Sequence, residues 1–492
     1  MKIKVEKKSI LDIEADIIVV NLFDGVKIPG GVTGIVDEAY NNLISNYVIK
    51  QEKFTGKFGE IYTLPLIEEK KKILVVGLGE AKEFTLAKLR TLNAKIIKAC
   101  NSIKNAKKVV SILHGAGIAG LCPEACAQMI AEGLVSGTYS FDKYKSDKAE
   151  KNIKEFVIAE IDNDKFKKAK KGLEKGLVIA EAVNMARDLI NEPAEHIYPE
   201  TLADYAVKNS NVQTTVYNKK EIKKMGMNAF LAVGQGSVHE PKLIHMQYVP
   251  EKKAKKKIAI VGKGITFDSG GLDLKPASSM LTMKDDMSGA AAVISTMNAI
   301  SKLMPNVEVH AIVAACENMP SGTSYKPGDV VTAKTGRTIE IDNTDAEGRV
   351  TLADALAYAE DLGVDEIIDI ATLTGACMVA LGSVASGIMG NNDEKIKEFI
   401  AQGEKVGERY WQMPMFKEYG DSLTSDIADT KNTGGRNGGA SAAGIFLSHF
   451  IKKTPWIHID IAGTAFLSGA NAEGVKGATG VGVRTLIEHI IQ

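Results

Sequence analysis

A chain of 492 residues is too long for one ordinary hydrophobic core, so two or three domains are expected. Apolar residues make up 45% and charged residues 25%, which is the balance of a globular protein. The 61 basic residues equal the 61 acidic residues in number. This balance does not favour a nucleic acid or an anionic membrane as the main partner.

The five cysteines are few and odd in number, which favours reduced thiols in a cytoplasmic protein over a disulfide framework. Cys122 and Cys126 are interpreted as small buried side chains, because no set of metal-binding partners lies near them in the sequence. The first ten residues show no apolar signal segment. Residues 370–390 carry no charge but are rich in Gly, Ser and Thr, so we predict a buried turn-and-helix region there and no membrane span.

The first part of the chain alternates short apolar runs with stretches of helical spacing, a pattern typical of an α/β fold. Strands are predicted at 16–20, 73–76 and 109–113, and a helix at 86–103. A charged stretch then leads into a long helix, for which Asp162 and its two neighbours are candidate caps. We interpret this charge as a solvated helix face and the helix as a link between domains.

The second part of the chain again alternates strands with helices. Strands are predicted at 258–261, 307–314, 366–370 and 456–460. His458 alternates with apolar neighbours and is interpreted as a core residue or a support for a ligand. The eight histidines form no pattern of metal ligands, and no HExxH motif is present.

Three segments of this second part carry acidic side chains near strand ends, where functional groups gather in open α/β sheets. They are VGKGITFDSGG (261–271), MKDDMSG (283–289) and NTDAEGRV (343–350). The first fits neither a dinucleotide-binding loop nor a Walker loop, because the third glycine and a terminal GKS or GKT are missing. In the second, acids at a helix start could act only as caps, and this alternative to a metal-ligand role stays open.

In an extended loop, Asp345 and Glu347 would point to the same side and repel unless a cation lay between them. Arg349 would extend that face and could hold an anion. Ion pairing within this segment on a surface helix is the alternative. Together with Asp268 and Asp286, these carboxylates form a set of hard oxygen donors suited to Mg²⁺, Mn²⁺ or Zn²⁺. Two such ions could activate water and polarise a carbonyl group.

The three segments closely resemble the signatures of the leucine aminopeptidase family of dinuclear metal enzymes. Flanking stretches agree with this family: ARDLINEP (186–193), MGMNAFLAVGQGS (225–237), ATLTGA (371–376) and WIHIDIAG (456–463). The resemblance implies a small N-terminal α/β domain, a linking helix and a larger C-terminal α/β catalytic domain with a central mixed sheet. The corresponding ranges are 1–160, 161–190 and 191–492.

The resemblance also implies that five side chains hold two divalent metal ions per subunit: Lys263, Asp268, Asp286, Asp345 and Glu347. Lys263 and Asp286 would belong to the tighter site, Asp345 to the exchangeable site, and Asp268 and Glu347 to both. Lys263 could act as a ligand only as a neutral amine. Mn²⁺ or Zn²⁺ is expected, with Mg²⁺ and Co²⁺ as alternatives.

By the same resemblance, Lys275 would donate to the oxyanion of the tetrahedral intermediate, and Arg349 would hold a bicarbonate ion that acts as general base. The substrate-binding site would be lined by Met283, Thr372, Leu373 and Gly375. The neighbouring acids Asp273 and Asp342 are expected to tune metal preference or pH optimum. Asp285 adds a further acid beside Asp286, and the choice of ligand between these two follows the family register.

The implied activity is an aminopeptidase that removes an N-terminal residue, with Leu-like preference, from short peptides. The resemblance further implies a cytoplasmic homohexamer whose active sites face an interior cavity. Two alternatives stay open. One is a Cys-Gly-type dipeptidase that uses the same metal ligands. The other is an additional DNA-binding regulatory role, which the zero net charge disfavours.

Overall fold

The structure is a computed structural model that describes residues 1–67, 70–116, 120–148 and 150–492. It divides into two compact units. Unit 1 comprises Met1–Glu181 and Ala470–Val475, and unit 2 comprises Ala182–Gly469 and Lys476–Gln492. Two units agree with the number expected from chain length, while the domain boundaries at 160 and 190 stay predictions. No helix among the described residues is long and apolar enough to cross a membrane.

Unit 1 is built on a six-stranded sheet with the strand order β1-β6-β5-β2-β4-β3. The strands are β1 (Lys2–Glu6), β2 (Ile17–Leu22), β3 (Ile61–Leu66), β4 (Lys71–Gly77), β5 (Lys108–Ile112) and β6 (Glu155–Ala159). All neighbours are parallel except β3, which runs antiparallel to β4. The helices are α1 (Gly31–Ala39), α2 (Leu86–Asn101), α3 (Pro123–Gly137) and the part of α4 (Asn163–Asn191) that precedes residue 182. The predicted strands and the predicted helix of this region are confirmed.

Side chains along β2 alternate between two hydrophobic cores. Ile17 and Val19 belong to one core, and Ile18 and Val20 belong to the other. A parallel sheet covered on both faces requires such a continuous apolar run. The start of α4 follows its predicted cap, since the Asp162 carboxylate accepts a hydrogen bond from the Lys165 N–H at 2.8 Å.

Unit 2 contains an eight-stranded sheet with the strand order β15-β14-β17-β13-β9-β10-β8-β7. In chain order these strands are β7 (Gln213–Tyr217), β8 (Lys242–Tyr248), β9 (Lys257–Asp268), β10 (Glu308–Asn318), β13 (Glu366–Ala371), β14 (Ser386–Gly390), β15 (Tyr410–Gln412) and β17 (Trp456–Asp460). Smaller sheets use β11 (Val330–Thr332), β12 (Thr338–Glu340), β16 (Thr430–Lys431), β18 (Phe466–Leu467) and β19 (Gly477–Ala478). The pairs β7–β8, β8–β10 and β14–β17 are antiparallel and the other pairs of the large sheet are parallel, so the mixed sheet is confirmed.

Ten further helices complete unit 2 among the described residues. They are α5 (Pro199–Lys208), α6 (Lys219–Lys224), α7 (Asn228–Gly234), α8 (Ala277–Met280), α9 (Ser288–Leu303), α10 (Glu347–Asp361), α11 (Gly375–Leu381), α12 (Asp393–Val406), α13 (Gly439–Ser448) and α14 (Val483–Ile491). The main core of the unit includes Ile312 of β10, Leu352 of α10 and Trp456 of β17. Strands and helices of this unit therefore share one hydrophobic core.

The central strands β9 and β10 are longer than predicted, and their polar ends reach Asp268 and Asn318. Their register shifts near these ends: Cys316 pairs with Ile265 but Glu317 pairs with Phe267, which leaves Thr266 as an extra residue. Such a bulge changes the direction of the side chains that follow it. It brings Asp268 opposite Asn318.

Two predictions about burial are wrong. The region 370–390 does hold a turn and the short helix α11, but Met378, Val379 and Val384 are 50%, 86% and 64% exposed. A helix of seven residues buries only one narrow stripe, here Cys377. Cys122 is exposed because it occupies the position before α3, whereas Cys126, one turn inside the helix, is buried as predicted.

Candidate metal centre and active site

Three buried carboxylates converge above the C-terminal end of the large sheet. Asp268 is the last residue of β9, Asp286 lies in the 3-10 turn Met283–Met287 before α9, and Glu347 is the first residue of α10. One oxygen atom from each of these side chains lies within 4.8 Å of the other two. Like charges this close are strongly unfavourable without a cation among them.

The Lys263 side chain is one of two lysines that contact this group. Its Nζ lies 2.8 Å from Asp286 Oδ1 and 2.9 Å from Glu347 Oε1, and it donates to the Thr372 carbonyl oxygen at 2.9 Å. Burial by itself would lower the pKa of Lys263, but the charges of Asp286, Glu347 and Asp268 outweigh burial and raise it. The ammonium thus balances part of the negative charge of the site.

A second lysine bridges the outer pair of carboxylates. Lys275 Nζ lies 2.8 Å from Asp268 Oδ2 and 2.5 Å from Asp345 Oδ1. Burial would lower the pKa of Lys275, and the charges of Asp268 and Glu347 outweigh it and raise the pKa. Burial raises the pKa of Asp345, as does the charge of Asp268, while Lys275 opposes this shift. Asp345 is the more open of the four carboxylates, with its side chain 33% exposed.

The prediction that Asp345, Glu347 and Arg349 point to the same side is wrong, because these residues do not share an extended loop. Helix α10 begins at Glu347, so Asp345 precedes the helix and Arg349 lies within its first turn. At about 3.6 residues per turn, residues two apart on a helix point in different directions. Asp345 contacts Lys275, whereas Arg349 Nη1 donates to the carbonyl oxygen of Asn432 at 2.9 Å.

Arg349 is buried at the edge of this group. Its Nε lies in a buried position and donates to no acceptor among the described residues. Burial lowers the pKa of Arg349 to about 10, although the charges of Glu347 and Asp460 oppose the shift. The guanidinium is therefore charged at neutral pH and keeps a free donor.

The carboxylates also keep free acceptors that suit metal ions. Asp286 Oδ2 and Glu347 Oε2 are buried and accept no hydrogen bond from any described residue. A buried charged oxygen without a partner is costly, and a cation removes that cost. Several carboxylates with one lysine nitrogen form a hard donor set that fits Mn²⁺, Mg²⁺ or Zn²⁺. The residues present therefore fit divalent metal ions.

Of the candidate substrate residues, Thr372 lies closest to the carboxylates. Its Oγ1 donates to Asp286 Oδ1 at 2.7 Å. Leu373 follows it and is half-buried, with its N–H donating to Asp460 Oδ1 at 3.2 Å. Gly375 is exposed as the first residue of α11, and Met283 is half-buried at the start of the 3-10 turn that carries Asp286.

Two asparagines that support the site were not identified from the sequence. Asn318 is fully buried and donates through Nδ2 to Asp268 Oδ1 and to the Thr344 carbonyl oxygen, both at 2.9 Å. Asn432 is also fully buried and donates to the Asn343 carbonyl oxygen at 2.7 Å. The available signal for Asn318 was its place at the end of an apolar strand, which was predicted four residues too short.

His458 occupies the buried core position that was predicted for it. Its Nδ1 lies 2.6 Å from Asp369 Oδ1, and Trp456 Nε1 donates to Asp369 Oδ2 at 2.7 Å. Burial would lower the pKa of His458, but Asp369 and Asp460 outweigh it and raise the pKa. The ring thus supports the sheet below the site rather than contacting the carboxylates.

Comparison with known proteins places this geometry in a family. The model of the catalytic domain of the cytosol aminopeptidase family matches residues 184–487, and the model of its N-terminal domain matches residues 19–148. A probable cytosol aminopeptidase of Alkaliphilus oremlandii is 42% identical, covering 100% of this chain and 99% of the relative. Another from Aquifex aeolicus is 44% identical, covering 90% of each chain.

Solved structures agree with the sequence relatives. A mutant of tomato leucine aminopeptidase is 34% identical with a TM-score of 0.88, covering 100% of this chain and 96% of that one. The bottromycin maturation enzyme BotP in complex with Mn is 32% identical with a TM-score of 0.86, covering 97% of this chain and 99% of that one. Since both domains match over nearly the whole length, the chain belongs to the cytosol aminopeptidase family and is a metal-dependent aminopeptidase.

Proposed function

We propose that this chain removes the N-terminal residue, with Leu-like preference, from short peptides, using two divalent metal ions. The observation that carries the proposal is the convergence of buried Asp268, Asp286 and Glu347 on one point. Mn²⁺ or Zn²⁺ is the expected ion, with Mg²⁺ and Co²⁺ as alternatives. The manganese complex of the related BotP supports the choice of Mn²⁺.

The metal ligands of the proposal are Lys263, Asp268, Asp286, Asp345 and Glu347. Two divalent cations held by these residues would supply Lewis-acid activation of water and of the scissile carbonyl group. Asp268 and Glu347 are proposed to serve both ions. For Asp268 this is supported by its place beside Asp286 and Glu347 and by Lys275, which it shares with Asp345. Lys263 would have to lose its proton, which a nearby metal cation and its own burial both favour.

Lys275 is the proposed donor to the oxyanion. Its side chain is 14% exposed, so it is desolvated but still reachable from outside the site. The raised pKa keeps the ammonium charged at neutral pH. A charged donor held in a desolvated site stabilises developing negative charge much more strongly than one in water.

Arg349 is the proposed holder of a bicarbonate ion that accepts a proton from the attacking water. The unpartnered, buried Nε of Arg349 supports an anion at this place. Its Nη1 is held by the Asn432 carbonyl oxygen at 2.9 Å, which fixes the plane of the guanidinium. A planar, always charged fork of donors suits a small oxyanion.

The substrate would lie between two short segments. Thr372, Leu373 and Gly375 follow β13, and Met283 lies on the turn that carries Asp286. Met283 and Leu373 are half-buried, so each offers apolar surface to a Leu-like side chain. A Cys-Gly-type dipeptidase would use the same ligands and differ only in this pocket.

We also propose that the chain works in the cytoplasm as a homohexamer. The exposed apolar side chains of unit 2, which include Leu281 at 84% and Val379 at 86%, support burial in an assembly. Light scattering during gel filtration should then report six copies of the 52.8 kDa chain. A DNA-binding role stays a lesser alternative, which steep salt dependence of DNA binding would favour.

The deciding experiment is hydrolysis of leucine p-nitroanilide after chelation and after addition of Mn²⁺ or Zn²⁺. We expect chelation to abolish hydrolysis and metal to restore it. The N-acetylated substrate is the matched control and should not be cleaved, because its amino group is blocked. Cys-Gly in the same assay separates the dipeptidase alternative. A folded chain that hydrolyses none of these substrates with any metal would contradict the proposal.

A further inference from the structure

Two loops of the active site pack against each other without room for side chains. One loop follows β9 and carries Lys275, and the other precedes α10 and carries Asp345. Gly271 has φ +66°, and a Cβ there would lie 2.7 Å from Asn318 Oδ1 and 3.0 Å from Thr344 Oγ1. A Cβ on Gly270, at φ +88°, would lie 2.9 Å from Asp345 Oδ1. The loops can approach this closely only because both residues are glycine.

A reciprocal pair of hydrogen bonds joins the same two loops. The Thr344 N–H donates to Asp273 Oδ2 at 2.7 Å, and the Asp273 N–H donates to Thr344 Oγ1 at 2.9 Å. The Thr344 hydroxyl lies 2.7 Å from the Gly270 carbonyl oxygen and 3.0 Å from Asp273 Oδ2, and it can donate to either. We name the pair formed by Asp273 and Thr344 the loop latch.

The Thr344 side of the loop latch is fixed from behind. Its carbonyl oxygen accepts from Asn318 Nδ2 at 2.9 Å and from Tyr325 Oη at 2.8 Å. Thr344 and Asn318 are fully buried, and Tyr325 is 1% exposed. Asp273 is the exposed member of the pair. Thr344 is thus held by the core, and Asp273 ties the outer loop to it.

We infer that Asp273 is a positioning residue of the active site. It lies two residues before Lys275, and its partner Thr344 directly precedes Asp345. Through the loop latch it holds Lys275 and Asp345 at their close separation, which is 2.5 Å between Nζ and Oδ1. This inference rests on the proposed function, in which Asp345 holds the exchangeable metal ion and Lys275 binds the oxyanion.

Asp342 makes it possible to distinguish the positioning role of Asp273 from an effect of its negative charge alone. Asp342 is a second exposed acid near the site, three residues before Asp345. Its backbone N–H is held by Asn432 at 2.8 Å, but its side chain bonds to neither loop among the described residues. If negative charge alone mattered, the two acids would act alike. If the loop latch matters, only Asp273 acts, and an asparagine there retains an oxygen acceptor for the Thr344 N–H.

The test measures binding of Mn²⁺ to the full chain by equilibrium dialysis, together with kcat and KM at saturating Mn²⁺. We expect Asp273→Ala to weaken the weaker of two binding steps by about tenfold to a hundredfold. The tighter step should stay within about threefold of the wild type, because Lys263 and Asp286 do not contact the loop latch. Turnover at saturating Mn²⁺ should also fall, because Lys275 loses its fixed position.

Three control variants decide between the two accounts. Asp273→Asn and Asp342→Asn each remove one charge, and both should bind Mn²⁺ like the wild type. Thr344→Ser removes a buried methyl group but keeps the hydroxyl, so it should also bind Mn²⁺ like the wild type. If lost stability alone weakened Mn²⁺ binding, this variant would bind more weakly as well. Because Asp273 is exposed, its substitution opens no cavity in the core, and we expect its variants to fold.

Two outcomes would overturn the inference. Equal weakening by Asp273→Asn, Asp342→Asn and Asp273→Ala would show that charge acts instead of the loop latch. Wild-type binding and turnover in Asp273→Ala would show that the loops hold their positions without it. Failure of the wild-type chain to bind Mn²⁺ at all would instead overturn the proposed metal centre, and the inference with it.

Discussion

Each of the two lysines of the active site lies between two carboxylates. Lys263 lies between Asp286 and Glu347. A buried charge that loses its partner is strongly destabilising, so these residues act as one electrostatic unit. Any substitution among them therefore changes both the metal ligands and the charge balance of the lysine. Metal content has to be measured beside activity for this reason.

We predict that Glu347→Ala releases metal and abolishes most activity. The variant removes a proposed ligand of both metal ions and one of the carboxylates that contact Lys263. We expect hydrolysis of leucine p-nitroanilide to fall by about a hundredfold or more, with metal content of the purified protein clearly reduced. Mass spectrometry of the bound metal after gel filtration provides the second readout.

Arg349→Ala is the matched control for this prediction. Arg349 lies two residues further along α10 and is also buried, but it contacts Asn432 and none of the carboxylates through a hydrogen bond among the described residues. This variant should keep its metal and show reduced turnover. Full activity and full metal content in Glu347→Ala would contradict the assignment of the metal ligands.

At the scale of elements, the start of α10 is packed directly against Lys263. A Cβ on Gly348 would lie 2.4 Å from Lys263 Cε and 2.6 Å from its Nζ. Glycine inside a helix is usually unfavourable. Here it gives the lysine a path to Asp286 and Glu347. Gly348 therefore makes the start of α10 less stable as a helix but leaves space for the Lys263 side chain.

We predict that Gly348→Ala lowers the affinity of the tighter metal site. At an unstrained helical position this change would stabilise the fold by about 0.4–1 kcal/mol. Here the new methyl group must displace Lys263, and we expect metal affinity to fall by about tenfold or more. Gly322→Ala is the control, because a Cβ there meets nothing within 4 Å. Unchanged Mn²⁺ binding by Gly348→Ala would refute the steric argument.

The apolar sequence pattern predicted the buried parts of β9 and β10 but not their polar ends. The apolar runs of β9 and β10 were predicted at 258–261 and 307–314, but the strands continue to Asp268 and Asn318. Their last residues are polar because they face the site rather than the core. Apolar periodicity cannot find such residues, since their backbone pairing depends on the neighbouring strand.

At the scale of the whole molecule, unit 1 contains a single histidine among residues 1–181. His114 is fully buried, with Nδ1 2.7 Å from Asn21 Nδ2 and Nε2 2.8 Å from Ser111 Oγ. Burial lowers the pKa of His114 from its ordinary value of 6.5 to about 3. The native state of unit 1 therefore excludes a proton that the unfolded chain binds in mildly acidic solution.

We predict that unit 1 loses stability as the pH falls below 6.5. Because the unfolded state binds more protons, the free energy of unfolding decreases as pH decreases, with a slope of up to about 1.4 kcal/mol per pH unit. Hydrogen exchange of unit 1 peptides between pH 7 and pH 5, corrected for intrinsic rates, measures this slope. Between pH 7 and pH 5 most carboxylates stay charged, so the protonation of histidine dominates the change in the free energy of unfolding.

His114→Gln should flatten this dependence, even though it loses hydrogen bonds and overall stability. His239→Gln, in unit 2, is the control and should leave the slope of unit 1 unchanged. An equal slope in His114→Gln and the wild type would show that another group excludes the proton.

The α/β class, most strands and the candidate ligands could be predicted from the order of residues along the chain. These are local properties: the alternation of apolar residues follows from the geometry of a strand, and Lys263 and Asp268 lie in one unbroken segment. Asp286, Asp345 and Glu347 were candidates from their own segments, and the resemblance to a family added the role expected of each. In the structure Asp268, Asp286 and Glu347 converge and Lys275 joins Asp345 to Asp268, while the individual roles stay predictions.

The side chains that support the site could be identified only in the folded protein. Asn318 is 50 residues from Asp268, Asp273 is 71 residues from Thr344, and Asn432 is 83 residues from Arg349. A hydrogen bond over such a separation exists only after strands and loops have packed, so no local pattern encodes it. From the sequence, Asp273 was only a nearby negative charge. In the folded protein it also forms hydrogen bonds with Thr344.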